Sequence, residues 1–328
     1  MRESAVRLLE QAISIRVPLM DPAHQSAFRL FNGFSEGDPD LAFDVYASTL
    51  VVHNYADDPT QNQSALQEVI SYVRNELHWL HAGVFKTRSG KTQEDKQGRL
   101  TFGDKPDTRI KEHNVWYAVN LTLNRDTSFY LDTRGLRKWL IDNMHGKTVL
   151  NTFAYTGSLG VAAMAGGASQ VVQTDLNRQF LNQAKDSYSL NGFPIQKKDF
   201  IAQDFFPMVA HLKSTKQLFD CVIIDPPFFS ATTKGRVDLV NESARLINKV
   251  RPLIKDGGIL IAINNALFIS GREYMETLEA LCKDGYLRIR ELIPVPEDFI
   301  GDVNIPPVTD PTPFNHSTKI AILDVKRK

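Results

Sequence analysis

The run Asp225-Pro226-Pro227-Phe228 holds the residue types best suited to chemistry. It follows Cys221-Val-Ile-Ile224, an apolar stretch that reads as a buried strand. Two consecutive prolines keep the backbone extended. The Asp225 carboxylate and nearby carbonyls can then accept hydrogen bonds from a flat nitrogenous base, while Phe228 stacks on its face. The bland alternative is a proline turn that merely ends a strand.

A second constellation lies upstream. Val149-Leu-Asn-Thr-Phe-Ala-Tyr-Thr-Gly157 leads into Ser158-Leu-Gly160, and a further apolar run ends at Asp175-Leu176-Asn177. This reads as strand, glycine turn, helix and strand, with an acid at the second strand's end, which is the pattern of a mononucleotide-binding half. Asp175 stands 18 positions after Gly157, near the roughly 20-residue offset at which an acid meets a ribose hydroxyl. The full G-x-G-x-x-G that packs a pyrophosphate is missing, which favours a nucleoside-like ligand without phosphates, such as S-adenosylmethionine (SAM). Two weaker signals follow. Gln203-Asp204-Phe205 offers an acid for an adenine amino group and an aromatic ring beside it. Asp132-Thr-Arg134 sits at a helix start, where simple capping is the alternative explanation.

The elements that must position these residues alternate. Strands are expected near 148–152, 170–174, 197–201, 219–224, 258–263, 287–293 and 318–325. Helices are expected near 133–144, 157–165, 177–191, 205–212, 238–254 and 272–284. That alternation predicts an α/β, doubly wound, mostly parallel sheet, in which ligands bind beyond the carboxyl ends of the strands. Ahead of it, residues 1–118 read as a small α+β accessory domain for substrate recognition. Its helices are expected over 3–14 and 61–80, its strands over 41–46, 49–55, 83–86, 100–103 and 114–121, and a loop over 87–99. The boundary of the second domain, 119–328, falls where the alternation begins. A proline-rich segment at 294–315 reads as a long loop, either functional and facing the substrate or disordered.

Composition is that of an ordinary soluble protein, with 42% hydrophobic and 23% charged residues. The N-terminus shows no apolar signal region, and no apolar run approaches a membrane span, so a cytoplasmic chain is expected. Two distant cysteines suggest neither a disulfide framework nor a zinc cluster, and no metal is expected. The formal net charge is zero, which weakens a nucleic-acid reading. Residues 86–111 nevertheless carry eight Lys/Arg against four acids, either a local basic footprint or a solvated loop.

The chain resembles the SAM-dependent methyltransferases of the bacterial 23S rRNA large-subunit methyltransferase I and K/L group. The resemblance rests on Ala118-Val-Asn-Leu-Thr122, Asp126-Thr-Ser-Phe-Tyr-Leu-Asp-Thr-Arg134, Leu150-Asn-Thr-Phe-Ala-Tyr-Thr-Gly-Ser158, Asp225-Pro-Pro-Phe228 with Ser230, and Ile263-Asn264-Asn265. It is strong over about 117–265. It extends weakly to Phe28-Arg-Leu-Phe-Asn-Gly33 and Asp44-Val-Tyr46, which are similar to the family's small central domain. It implies a Rossmann-like class I methyltransferase domain with seven strands, with SAM lying over Asn151, Phe153, Tyr155, Thr156 and Gly157. The ribose would rest on Asp175, with Leu176 and Asn177 beside it. The adenine would contact Asp204 and Phe205, the methionine end Asp132 and Arg134, and the target base Asp225–Phe228. Members often pair, so a homodimer is the assembly to test.

Two departures bear on the substrate. The sequence leaves no room for the RNA-binding PUA module that precedes the central domain in the 5-methylcytosine members. Those members also place a cysteine after strand five, where this chain has Ala262-Ile-Asn264-Asn265. Carbon 5 of cytosine needs a thiolate adding at carbon 6, and Cys221 mid-strand is expected in the core. A ring nitrogen such as guanine N7 attacks a methyl directly, and catalysis is then mostly positioning. The Asn264-Asn265 pair resembles the K/L domain that methylates guanine N7. The expected activity is therefore methylation of a base nitrogen in rRNA, with guanine N7 favoured and Asp225, Asn264 and Asn265 at the acceptor. The rivals are a protein or small-molecule acceptor, and a non-catalytic SAM- or RNA-binding relic.

Overall fold

In the computed structural model, residues 2–58, 63–90, 92–300 and 312–327 are described. The chain forms two compact units, Met1–Leu131 with Pro296–Val308, and Asp132–Val295 with Thr309–Lys328. The boundary expected at residue 118 precedes the first of these divisions. Most of the proline-rich segment, 301–311, lies outside the described residues.

The first unit opens with α1 (Arg2–Arg16). Then follow β1 (Ala27–Asn32), the short α2 (Gly33–Glu36), β2 (Leu41–Tyr46), β3 (Thr49–Asn54), α3 (Gln63–Glu76) and β4 (Ala82–Thr87). The expected loop over 87–99 contains a one-turn helix, α4 (Gln93–Gln97), before β5 (Arg99–Phe102). A capping box between Thr92 and Asp95 explains it: each side chain satisfies the other's backbone N–H. The five strands pair in sequence order. A hairpin of β6 (Arg109–Glu112) and β7 (Val115–Ala118) follows. Alternation sorts the sheet's faces. Phe43, Val45, Leu50 and Val52 pack with Leu9, Ala12, Val69 and Val73 of α1 and α3. Asp44 between them instead binds Arg29 at 2.8 Å and His53 at 3.2 Å.

The second unit alternates as expected. Its elements run α5 (Arg134–Asn143), β8 (Thr148–Thr152), α6 (Ser158–Ala165), β9 (Gln170–Asp175), α7 (Arg178–Leu190), β10 (Phe200–Ala202), α8 (Phe205–Ser214) and β11 (Phe219–Ile224). An unforeseen hairpin, β12 (Phe229–Thr232) and β13 (Gly235–Asp238), comes next. Then come α9 (Leu239–Val250), β14 (Ile254–Asn264), α10 (Gly271–Cys282), β15 (Leu287–Ile293) and β16 (Lys319–Val325). The seven-stranded sheet has the order β10-β9-β8-β11-β14-β16-β15, and β16 alone runs opposite to the other six strands. Both faces are apolar, as a parallel sheet requires. Val149, Val171, Cys221, Ile223, Ile261 and Ile322 pack with Leu136, Leu140 and Leu159 of α5 and α6. The alternate residues Leu150, Val172, Val222, Ile224, Leu260 and Leu323 pack with α8, α9 and α10 through Val209, Leu246 and Leu278. Among the described residues no helix is long and apolar enough to cross a membrane.

Candidate active site

Strand order reverses between β8 and β11, and a ligand crevice opens at such a switch point beyond the strands' carboxyl ends. Register brings the residues there together. Thr152 pairs with Thr174 and with Ile224, and Ile224 with Ala262. The next residues along these strands are Phe153, Asp175, Asp225 and Ile263. Ala202 pairs with Asp175, which puts Gln203-Asp204 at the same edge. All the residues expected at the site belong to the second unit.

The turn after β8 is held in a strained form. Phe153, Tyr155 and Gly157 all have positive φ (53°, 51° and 78°), a region costly for side chains and natural for glycine. At Gly157 a Cβ would also fall 2.5 Å from Ala184 and 2.6 Å from Gln173 Oε1. Asp175 secures the turn from below: its carboxylate accepts from Tyr155 N and from Asn177 N, both at 2.8 Å. Burial raises its pKa above the ordinary range, against the pull of those N–H groups. A carboxylate's roughly four lone-pair sites leave room for a diol beside these N–H groups. Leu176 is exposed beside it, while the Asn177 side chain caps α7 by accepting from Gln179 N. Buried Asn151 donates to Gln173 Oε1 at 3.3 Å, and its own Oδ1 has no hydrogen-bond partner among the described residues. Buried Thr156 completes the turn. The far wall holds Asp204, which caps α8 through Phe206 N and accepts the Thr232 hydroxyl at 2.7 Å. Phe205 is buried, stacked on Phe153 with ring centroids 4.6 Å apart, so the half-buried Phe153 has the freer surface. Thr232 belongs to the unforeseen hairpin, whose Gly235 passes so close to Phe206 that a Cβ would lie 2.4 Å from the ring.

The donor set fits SAM. Carboxylates at Asp175 and Asp204 face no phosphate-binding loop, and the orphaned Asn151 oxygen suits an N–H or O–H donor. Asp132, half-buried, accepts the Thr318 hydroxyl at 2.7 Å, and Arg134 begins α5 close by in sequence.

At the strand end expected to meet the acceptor, Asp225 is half-buried and its carboxylate accepts no hydrogen bond from a described residue. Burial, with the Asp132 charge adding to it, pushes its pKa up to about 7. Pro226 is buried, Pro227 and Phe228 exposed. Asn264 is buried, with Oδ1 accepting from Ala266 N at 2.9 Å and Nδ2 unpartnered among the described residues; Asn265 is exposed. Sequence reasoning missed Lys319, fully buried opposite Asn264 in the β14–β16 ladder. It donates to the Ala266 carbonyl at 3.1 Å and to the Ser317 carbonyl. Burial pushes its ammonium down to about 8. Its only signal was a charged residue opening an apolar strand. Both cysteines are poor nucleophiles. Cys221 is fully buried and burial raises its thiol to about 12, while Cys282, part-buried, is also raised.

The basic segment of the first unit is partly spent on its own fold. Lys86 is buried and donates to the carbonyls of Gln97 and Asn124. Arg88 pairs with Asp126 at 3.1 Å, and Arg109 and Lys111 lie over Trp116.

Reversed sheet order, glycine turn, acid on β9 and an acid-proline strand end together define a class I SAM-dependent methyltransferase. The sequence matches the S-adenosylmethionine-dependent methyltransferase family over residues 29–304. The chain belongs to that family, and it is an enzyme that uses SAM. Ribosomal RNA large subunit methyltransferase I of Photobacterium profundum is 28% identical over 270 residues, 80% of this chain and 68% of that protein. Ribosomal RNA large subunit methyltransferase K/L of Colwellia psychrerythraea is 31% identical over 253 residues, 73% of this chain and only 34% of that protein. Among solved structures, SMU.776 complexed with SAH superposes with a TM-score of 0.86 at 22% identity, covering 99% of this chain and 82% of that one.

Proposed function

We propose that this enzyme methylates a base nitrogen of ribosomal RNA, with guanine N7 the favoured atom and the first unit recognising the substrate. The observation that carries the reading is the half-buried Asp225, without a hydrogen-bond partner among the described residues, at the switch point with Phe228 exposed beside it, while both thiols are held protonated by burial. The names of the relatives support RNA as the acceptor. When bound, SAM supplies an electrophilic methyl group on a sulfonium sulfur. Asp175 and the 153–157 turn hold its nucleoside, and Asp132 with Arg134 its amino-acid end. Phe228 stacks on the target base. Asp225, once ionised, accepts N–H hydrogen bonds from that base and aims its lone pair, while Asn264 and Asn265 line the far side. A base nitrogen needs no covalent activation, so orientation supplies most of the rate.

The test uses tritiated SAM and rRNA from cells lacking the gene, followed by digestion and nucleoside identification. Label in 7-methylguanosine is expected. Label in 5-methylcytidine would refute the nitrogen assignment, and labelled protein in place of RNA would refute the acceptor. Asp225→Asn should lower the transfer rate by about 10²-fold or more while SAM affinity by calorimetry changes less than threefold. Full activity in that variant would remove Asp225 from the mechanism.

A further inference from the structure

Leu267 and Phe268 are the most exposed large apolar side chains among the described residues, at 69% and 79%. They sit at the centre of a tight turn, in which Ile269 N donates to the Ala266 carbonyl at 3.3 Å. Turn centres favour Gly, Pro, Asn and Asp for their backbone preferences, so turn chemistry does not account for a Leu-Phe pair. The stem is fixed on both sides. Ala266 is buried, its N–H bound by Asn264 and its carbonyl by buried Lys319. Ser270 follows, locked in a capping box with Glu273 at the start of α10. The Phe268 ring meets the Phe228 ring edge-on, with centroids 6.1 Å apart, and Phe229, another exposed aromatic, is next in the chain. A rigid stem thus carries an apolar tip to the rim of the acceptor site.

We propose that Leu267 and Phe268 form a wedge that enters the base stack of a folded RNA, takes the place of the target base and so delivers that base to Asp225 and Phe228. This rests on the reading that RNA is the acceptor. An enzyme that modifies a base within a stacked helix must extrude it, and apolar side chains are the usual wedges between base steps. The commitment to RNA comes from the tip's contact with Phe228, the ring proposed to stack on the target base. Both side chains act as positioning residues, and the wedge matters only where the target is stacked.

The test measures tritium transfer by wild type, Leu267→Ala, Phe268→Ala and Phe268→Trp. The substrates are natively folded rRNA from cells lacking the gene and the same RNA heat-denatured and fragmented. For the two alanine variants the folded-to-denatured rate ratio should fall at least tenfold, and Phe268→Trp should restore most of it. SAM affinity by calorimetry verifies the fold of each variant. An alanine variant with the wild-type ratio overturns the wedge while leaving the RNA reading intact. A wild-type enzyme that labels neither RNA overturns the RNA reading, and the wedge with it.

Discussion

At the scale of the residue, the proposed role of Asp225 predicts the pH behaviour. Its pKa lies near 7 instead of 3.8 because burial disfavours the charge and Asp132 stands nearby. Only the ionised form offers both oxygens as charged acceptors to the N–H groups of the base, so kcat/KM should fall about tenfold for each pH unit below 7. Asp132→Asn removes the like charge and should move that limb to lower pH, which a pH–rate profile reads directly. An unmoved limb would assign it to another group. Linkage gives an independent sign. The folded state holds the Asp225 proton more tightly than the unfolded chain, so its contribution to stability is full below about pH 4 and is lost as pH rises through about 7. Urea denaturation of Asp225→Asn should therefore show a flatter dependence over that window than wild type. The acid, the prolines and the ring were legible in the sequence because they are consecutive. Lys319 and the Leu267-Phe268 tip were not. Lys319 becomes notable only when the β14–β16 register sets it opposite Asn264, and an exposed Leu-Phe pair looks like core until its burial is known.

At the scale of the element, the strand–turn–helix from β8 to α6 is where a constrained backbone and the proposed nucleoside site coincide. Gly157 has φ 78° and no room for a methyl group against Ala184. Gly157→Ala combines a left-handed conformation with overpacking and should cost about 2–4 kcal/mol in urea titrations. It should also weaken SAM binding, because the turn proposed to hold the nucleoside must shift. Unchanged stability would show that the turn relaxes freely. Most elements of the second unit were legible because buried parallel strands are uninterrupted apolar runs and the helices between them carry caps. The β12–β13 hairpin was not. Its four-residue strands carry few buried side chains, and Thr232 and Gly235 stand far in sequence from Asp204 and Phe206, which they meet only once the hairpin has formed. Asp204 read as a ligand acid from its place at a strand end, whereas its hydrogen bonds to Phe206 and Thr232 also give it a structural task.

At the scale of the whole molecule, charge separates two ways of holding RNA. A protein that grips phosphates releases counterions, and its affinity falls steeply with salt, by roughly 0.7 log unit per log unit of salt for each single-strand contact. This chain has no net charge to spend. Its one basic segment is partly committed internally, with Lys86 buried on carbonyls and Arg88 held by Asp126. Exposed rings are what the acceptor rim offers: Phe228, Phe229 and Phe268. Stacking on such rings depends little on salt. The affinity for rRNA fragments, measured from 50 to 300 mM KCl, should therefore show a log–log slope shallower than about −3, the equivalent of about four phosphate contacts. Phe268→Ala should weaken binding without changing that slope, since the ring carries no charge. A slope of about −6 or steeper would mean that the 86–111 segment acts as a phosphate footprint after all, with stacking secondary to it.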